Sequence, residues 1–391
     1  MAQGKVRAVF MRGGTSKGIV FRAEDLPADA AARDRLFLAA MGSPDPNGRQ
    51  LDGMGGGISS LSKVCIVGPP SRPDADVDYT FGQVSVREAS VDYSGNCGNM
   101  SSAIGPFSVD EGIVRATGRR ATVRIHNTNT RKIIVARFDL EGDRAAVDGD
   151  FVLDGVAGAG APIRLDFTDP GGAKTGRLLP TGRPVDVLEV AGVGRVRASL
   201  VDAANPCVFV AASDLGCDGS EAPEALERDR ERMARLEAIR CAASVAMGLA
   251  PDPERARAIP SVPKVAMVAA PRPATTLSGR TLAPEDMDIA VRMISIGQPH
   301  RAVPLTGAMC LAVATRIEGS LPHELAAPPA RPDADIRIAH ASGVTVVNAA
   351  VTRNGAGGPG AGFRAEYATV YRTARRLFEG YVFYRRSGVA A

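Results

Sequence analysis

The feature that most constrains this chain is an internal repeat. Residues 7–26 read RAVFMRGGTSKGIVFRAEDL and residues 197–215 read RASLVDAANPCVFVAASDL. Both run strand, turn, strand, then Asp-Leu (Asp25-Leu26 and Asp214-Leu215) into a segment with helical spacing, near 28–42 and near 222–249. In the second of these, Leu226, Met233, Leu236, Ile239, Ala243 and Met247 recur close to every 3.6 residues with charges between them. Self-similarity at this distance means one supersecondary unit used twice.

The repeat continues beyond the hairpin. GNCGNMSSAIGP at 95–106 and TGAMCLAVATRI at 306–317 each follow strand-like runs (77–93; 287–296 and 301–305), and each opens an apolar segment with small residues. Each half therefore supplies a buried helix with a bare, glycine-bearing N-terminus. Further strands are expected near 63–68, 121–126, 132–139, 197–202, 207–211, 264–269, 334–340 and 344–351, which makes the chain a β-rich α+β protein. The stretch NGAGGPGAG at 354–362 reads as a surface loop, and ATVYRTARRLFEGYVFYRR at 368–386 reads as a short helix and a final strand. The 391 residues exceed one ordinary core. The expected division is 1–185, with the C-terminal strand 378–391 returning to it, and 186–377.

Composition removes several classes of function. Lys+Arg 47 against Asp+Glu 43 leaves a net charge of +4, no nucleic-acid footprint and no Trp. No stretch approaches the length of a membrane span, and the N-terminus shows no apolar leader. The six cysteines (65, 97, 207, 217, 241, 310) contain no CxxC, as expected of free thiols in a reducing cytoplasm. His126, His300, His323 and His340 have no metal-ligand spacing, and Asp74-x-Asp76-x-Asp78 lacks the rest of a calcium loop, so it reads as a solvated strand start and no metal is expected. Gly53-x-Gly55 lacks the third glycine of a dinucleotide fingerprint, no GK[ST] follows for a phosphate loop, and there is no GxSxG elbow.

What remains is a small set of polar residues beside glycines. Only six of the 47 basic residues are lysine, and Lys17 and Lys63 both lie next to glycine clusters. An ionisable amine can do what guanidinium cannot. Lys63 ends the loop Asp52-Gly-Met-Gly-Gly-Gly-Ile-Ser-Ser-Leu-Ser and opens the apolar run Val64–Gly68. An amine partly buried there could serve as a base; the competing reading is a lysine reaching back to solvent from a strand end. Asn96-Cys97-Gly98-Asn99 places a thiol where a helix N-terminus lowers thiol pKa and attracts anions; the plainer reading is a small thiol capping a core helix. Arg12-Gly-Gly-Thr15-Ser16-Lys17 is either a carboxylate-binding turn or an ordinary hairpin. His300 precedes the second helix and either binds substrate or caps a turn.

The set MRGGTSKG, LDGMGGGISSLSKV, DVDYTFGQV and GNCGNMSSAIGPF, continued by HRAVPLTGAMCLAVA and RTARRLFEGYV, resembles the PrpF family of isomerases over nearly the whole chain. That group includes 2-methylaconitate cis-trans isomerase, 4-oxalomesaconate tautomerase and methylitaconate Δ-isomerase. The resemblance implies a diaminopimelate epimerase-like fold: two similar domains, each a β-barrel-like sheet around a central helix, whose N-termini face one cleft. It also implies cofactor-free proton shifts on unsaturated di- and tricarboxylates, and it puts the family's catalytic lysine on Lys63 and its active-site cysteine on Cys97. The epimerase relatives use two opposed cysteines. Here Thr306-Gly307 stands opposite Cys97, with Cys310 a turn further on, which disfavours a two-thiol racemase.

The expected chemistry is a 1,3-allylic or keto-enol shift on a substrate such as 4-oxalomesaconate or 2-methylaconitate. Lys63 is the base, Cys97 assists, and the dienolate-like anion is held by helix N-termini, the Gly55–Ser60 loop including Ser60, and Thr15-Ser16. Carboxylates are expected on Asn96, Gly98, Asn99, Thr306 and Gly307, with Lys17 and His300 as further contacts. The only partner expected is that small molecule, in a cytoplasmic enzyme without cofactor, which leaves a homodimer open. The alternatives are a two-base racemase or epimerase of a small acid, and a carboxylate-binding protein without chemistry. The variants GISSLSK and VDYSGNCGNM lean toward the oxalomesaconate branch.

Overall fold

The opening hairpin sets the plan of the chain in a computed structural model that describes residues 3–93, 95–295, 297–353 and 362–385. Residues 354–361 of the glycine-rich stretch and 386–391 of the expected last strand lie outside the described residues. Strand β1 (Gly4–Gly13) turns at Gly14 and pairs antiparallel with β2 (Ser16–Arg22), Gly13 opposite Ser16. Helix α1 (Ala30–Met41), capped by the Asp29 carboxylate on Ala32 N–H, carries the chain to β3 (Lys63–Gly68), parallel to β2. β4 (Val77–Val84) is antiparallel to β3, with Lys63 opposite Gln83. Helix α2 (Gly98–Asp110) then leads to the strand Arg120–Asn127, parallel to β4, which makes a hairpin with Lys132–Glu141.

The second half repeats these relations in the same order. Gly194–Ala203 and Asn205–Ala211 form a hairpin, and Lys264–Ala269 runs parallel to its second strand. Ile289–Ser295 is antiparallel to that, and Ile336–His340 is parallel again and turns into Gly343–Arg353. The hairpin turns match in backbone: Gly14 has φ +53° and Ala204 φ +61°. The helices between the parallel strands differ. α3 (Pro223–Arg228), α4 (Arg230–Ala246) and α5 (Pro253–Ala258) stand where the first half has α1 alone. The single helix expected over 222–249 is broken at Asp229, whose backbone leaves helical geometry (ψ 79°) while its carboxylate caps Arg232 N–H. The expected strand at 301–305 is absent; only Gln298–Pro299 pairs there.

Each half is organised around one helix that is buried on all sides, which is what an apolar helix without a polar face requires. In α2 every residue from Met100 to Val109 is buried, and in α6 (Leu305–Thr315) every residue from Gly307 to Thr315. A Cβ on Gly105 would come within 2.8 Å of Phe138, so glycine lets α2 lie against the Lys132–Glu141 strand.

Two boundaries differ from the sequence expectation. The chain divides into residues 1–167 with 371–391, and residues 168–370. Residues 168–185 belong to the second unit because Asp202 gathers them: its carboxylate accepts from Lys174 N–H, Thr175 N–H and the Thr175 hydroxyl, and its backbone holds Gly172 and Leu178. The segment expected as a C-terminal helix is extended, Phe363–Arg372 and Ala374–Tyr384, and the latter pairs with β1 along its length. Local helix propensity in RTARRLFEG is overridden by a partner strand with unsatisfied hydrogen bonds.

The second unit buries His340, 4 % exposed, between Ser342 N–H, which donates to its Nδ1, and Thr345 Oγ1 at 2.9 Å from its Nε2. Burial, with Arg292 adding repulsion, pushes this imidazole down to about 4. The unfolded chain takes up the proton near pH 6.5 and the folded one only near 4, so stability present above pH 6.5 is lost as pH falls through that interval. Between pH 7 and pH 5 the expected loss is about 2 kcal/mol from this group. Urea unfolding of the wild type and of His340→Gln at both pH values measures it. An unchanged pH slope in the variant would remove His340 as the cause.

Candidate active site

Lys63 is the first residue of β3 and only 7 % exposed. Its Nζ donates to Gln83 Oε1 at 2.6 Å and lies 4.9 Å from the Phe81 ring centroid. The Gln83 amide is itself fixed, since Nε2 donates to the Ser59 and Ser62 carbonyls, leaving Oε1 for the lysine. The amine is thus held inside a sheet face rather than reaching to solvent. Gly18 makes this possible: a Cβ there would meet the Lys63 carbonyl oxygen at 2.6 Å.

Cys97 is the N-cap of α2 and half-buried, and its side chain makes no capping hydrogen bond. The first amides of α2, on Gly98, Asn99 and Met100, therefore have no intrahelical acceptor. Behind Cys97, Cys65 Sγ donates to Tyr79 Oη at 3.8 Å, both fully buried. Burial pushes the Cys65 thiol well up; negative charge on Cys97 adds to this, while Tyr79 and Lys63 oppose it. Tyr79 is raised by burial first and then by Cys65 and Cys97. Lys63 and Cys65, two apart on β3, share a sheet face, and charge on Cys97 acts on both members of the Cys65–Tyr79 pair.

The loop before α2 is braced by residues that sequence reading passed over. Asn96 Oδ1 accepts from Ser101 Oγ and from Asn127 Nδ2, both at 3.3 Å. Asn127 is bonded on to Asn129, whose side chain ties Phe81 and Tyr93 together. The signal was available as His-Asn-Thr-Asn-Thr at 126–130, a polar run ending a strand. Thr15 is exposed in the hairpin turn and accepts from Asn99 Nδ2 at 3.0 Å, while Ser16 beside it is buried. Gly13 and Gly14 let this turn press on α2: a Cβ on Gly13 would be 2.7 Å from the Asn99 carbonyl, and one on Gly14 2.4 Å from Asn99 Oδ1.

Two expected contributors are placed elsewhere. Lys17 shares its strand face with Ile19 and Phe21, which pack into the core under α1, and its amine lies 5.9 Å from the Phe10 ring centroid. In the Gly55–Ser60 loop the amides of Gly55, Gly56 and Gly57 are used internally, on Met41 O, Leu61 O and Gln50 Oε1. Those glycines let the chain close around Gln50 and do not offer an oxyanion hole. Ser60 is half-buried in the short helical turn Ser59–Leu61 that delivers Lys63. Asp74, Asp76 and Asp78 are paired with Arg72, Arg124 and His126. Among the described residues no three of His, Cys, Asp and Glu gather as metal ligands.

The second unit holds its own polar group at the start of α6. Pro304, its N-cap, offers no side-chain cap, and Thr306 and Gly307 stand in the first turn. His300 Nε2 is buried without a hydrogen-bond partner among the described residues, and burial, then Lys264, lowers the ring's pKa. Lys264, depressed by its own burial, opens a strand parallel to the hairpin, as Lys63 does in the first unit. Its Cδ is 3.9 Å from where a Gly307 Cβ would stand. The sequence alone does not match this lysine to Lys63, because the insertion of α3–α5 hides the correspondence.

A fixed, buried amine and, in the same unit, a half-buried thiol at a helix N-terminus that suits an anion are equipment for moving protons on a carboxylate. The sequence matches the family described as PrpF protein over residues 3–385, and the chain belongs to that family. It is 41 % identical over 387 residues to 3-methylitaconate isomerase of Eubacterium barkeri, covering 98 % of each chain. It is 41 % identical over 390 residues to 2-methyl-aconitate isomerase of Shewanella oneidensis, covering 97 % and 96 %. The crystal structure of a methylitaconate-delta-isomerase superposes with a TM-score of 0.93 at 40 % identity, covering 100 % of this chain and 99 % of the other. The protein is an isomerase with the fold of that enzyme.

Proposed function

We propose that this isomerase moves a proton between two carbons of an unsaturated di- or tricarboxylate, with Lys63 as base and proton carrier and no cofactor. The observation that carries the reading is the Lys63 amine, buried at a strand head and held by Gln83, in the same unit as Cys97 at the open N-terminus of α2. The amine removes a proton from carbon conjugated with a carboxylate, the electrons move into a dienolate, and the resulting ammonium returns the proton at the other end. Carbon acids of this kind are weak, so the donors must hold the anion better than they hold the substrate. The amides of Gly98 and Asn99 and the side chains of Asn96 and Thr15 are suited to one carboxylate. Thr306, Gly307, Lys264 and His300 offer donors of the same kind in the second unit. Cys97 assists as acid or positions the substrate.

The test is an ultraviolet assay on 3-methylitaconate, 2-methylaconitate and 4-oxalomesaconate, run also in D2O. One of them should isomerise and take up solvent deuterium. Tight binding of all three without exchange would make the chain a carboxylate-binding protein instead. On the accepted substrate, Cys97→Ser should lower kcat by ~10²-fold or more. Full loss in Cys97→Ser with Lys63→Ala tolerated would reverse the two roles.

A further inference from the structure

Arg372 is a buried cation that the proposed chemistry has not yet used. Its side chain is 9 % exposed; Nε donates to Asn99 Oδ1 at 3.1 Å and Nη1 to the Tyr371 carbonyl at 2.7 Å. Both acceptors are neutral. Burial brings the guanidinium down to about 10, and among the described residues only charge on Cys97 acts against that; no carboxylate does. Arg240, 2 % exposed, is held differently: it forks onto the Glu237 carboxylate with two bonds of 2.7 Å. A buried charge without a counter-charge is costly, and an anion brought to it from outside would offset that cost.

The surroundings say where that anion goes. By occupying Asn99 Oδ1, Arg372 fixes the orientation of the amide, so its NH2 group points away from the guanidinium. One N–H goes to Thr15 Oγ1; the other has no partner among the described residues. Asn99 lies in the uncapped first turn of α2, so its free N–H and the helix amides are available together. Gly14 leaves room for both side chains, since a Cβ there would be 2.4 Å from Asn99 Oδ1 and 3.1 Å from Arg372 Cδ.

We infer that Arg372 is the positioning residue of a carboxylate subsite at the α2 N-terminus, aiming the Asn99 amide at a substrate carboxylate that supplies its missing counter-charge. The inference rests on the carboxylate reading of the substrate. It acts through Asn99 and places Arg372 one layer behind the ligand.

The experiment uses the full chain, the substrate accepted in the assay, and tricarballylate as a probe that cannot isomerise, with binding followed by calorimetry. Arg372→Gln should weaken tricarballylate and raise KM by ~10- to 100-fold, with kcat changed far less, and Arg372→Lys should recover part of the loss. Asn99→Asp keeps the shape and puts a carboxylate on the guanidinium. It should fold with a thermal midpoint at or above wild type and lose probe binding, which covers the case in which Arg372→Gln does not fold. Probe affinity equal to wild type in folded Arg372→Gln, or in Asn99→Asp, would overturn the inference. Failure of wild type to bind tricarballylate or turn over any of the carboxylates would instead count against the substrate reading and take the subsite with it.

Discussion

Lys63→Met should reduce kcat by ~10³-fold or more and leave a folded protein, because general acid–base groups of this kind contribute about 10²–10⁴. Methionine is close to lysine in length and suits a position that is 7 % exposed. The change removes one hydrogen bond, to Gln83 Oε1, while Gln83 stays anchored on the Ser59 and Ser62 carbonyls. The stability cost is therefore that of one acceptor left without its donor, about 1–3 kcal/mol. The catalytic cost is of another order, since Cys65 and Tyr79 beside it are both raised and neutral near pH 7 and offer no substitute base. Deuterium uptake should disappear with turnover. A variant with near-normal kcat on the accepted substrate would show that Lys63 is not the base.

The second large effect is expected at a residue without a side chain. In Gly18→Ala the new methyl would stand 2.6 Å from the Lys63 carbonyl oxygen and 3.0 Å from Lys63 Cβ. Backbone cannot swing aside as a long side chain can, so β2 and β3 must part where Lys63 enters the sheet. Overpacking of this sort costs about 1–3 kcal/mol, and a displacement of the base approaching 1 Å costs ~10² in rate. The variant should melt several degrees below wild type and lose most of its kcat. Wild-type melting and kinetics together would mean that the strand contact is looser than described and that Gly18 does not hold Lys63 in place.

Much of this was legible in the sequence where a residue type is unusual for its place. Glycines beside Lys63 and Cys97 flagged close backbone approach, and Lys63 is buried at its strand head while Cys97 stands at the N-terminus of α2. The repeat was legible because a hairpin leaves a compact signature, and its strand order recurs in both halves. Lys17 misled because its neighbours are glycine and serine, whereas side-chain alternation along β2 turns it to the α1 core. The Gly55–Gly57 loop misled in the same way: its composition suits anion binding, but Gln50 fills it.

By itself the sequence determined what depends on local chemistry and period: two copies of one unit, two apolar helices with bare N-termini, and a lysine and a cysteine placed in glycine-rich turns. Only the tertiary structure decided what depends on pairing between distant segments. The Ala374–Tyr384 segment became a strand because β1 had bonds to satisfy, Gln83 came to Lys63 through strand register, and Arg372 came to Asn99 across 273 positions of chain. These contacts have no local pattern to announce them, since burial and hydrogen-bond completion are properties of the folded chain. They also sharpened the view of the second half, which carries in Lys264 a lysine of its own at the place where the first half has Lys63.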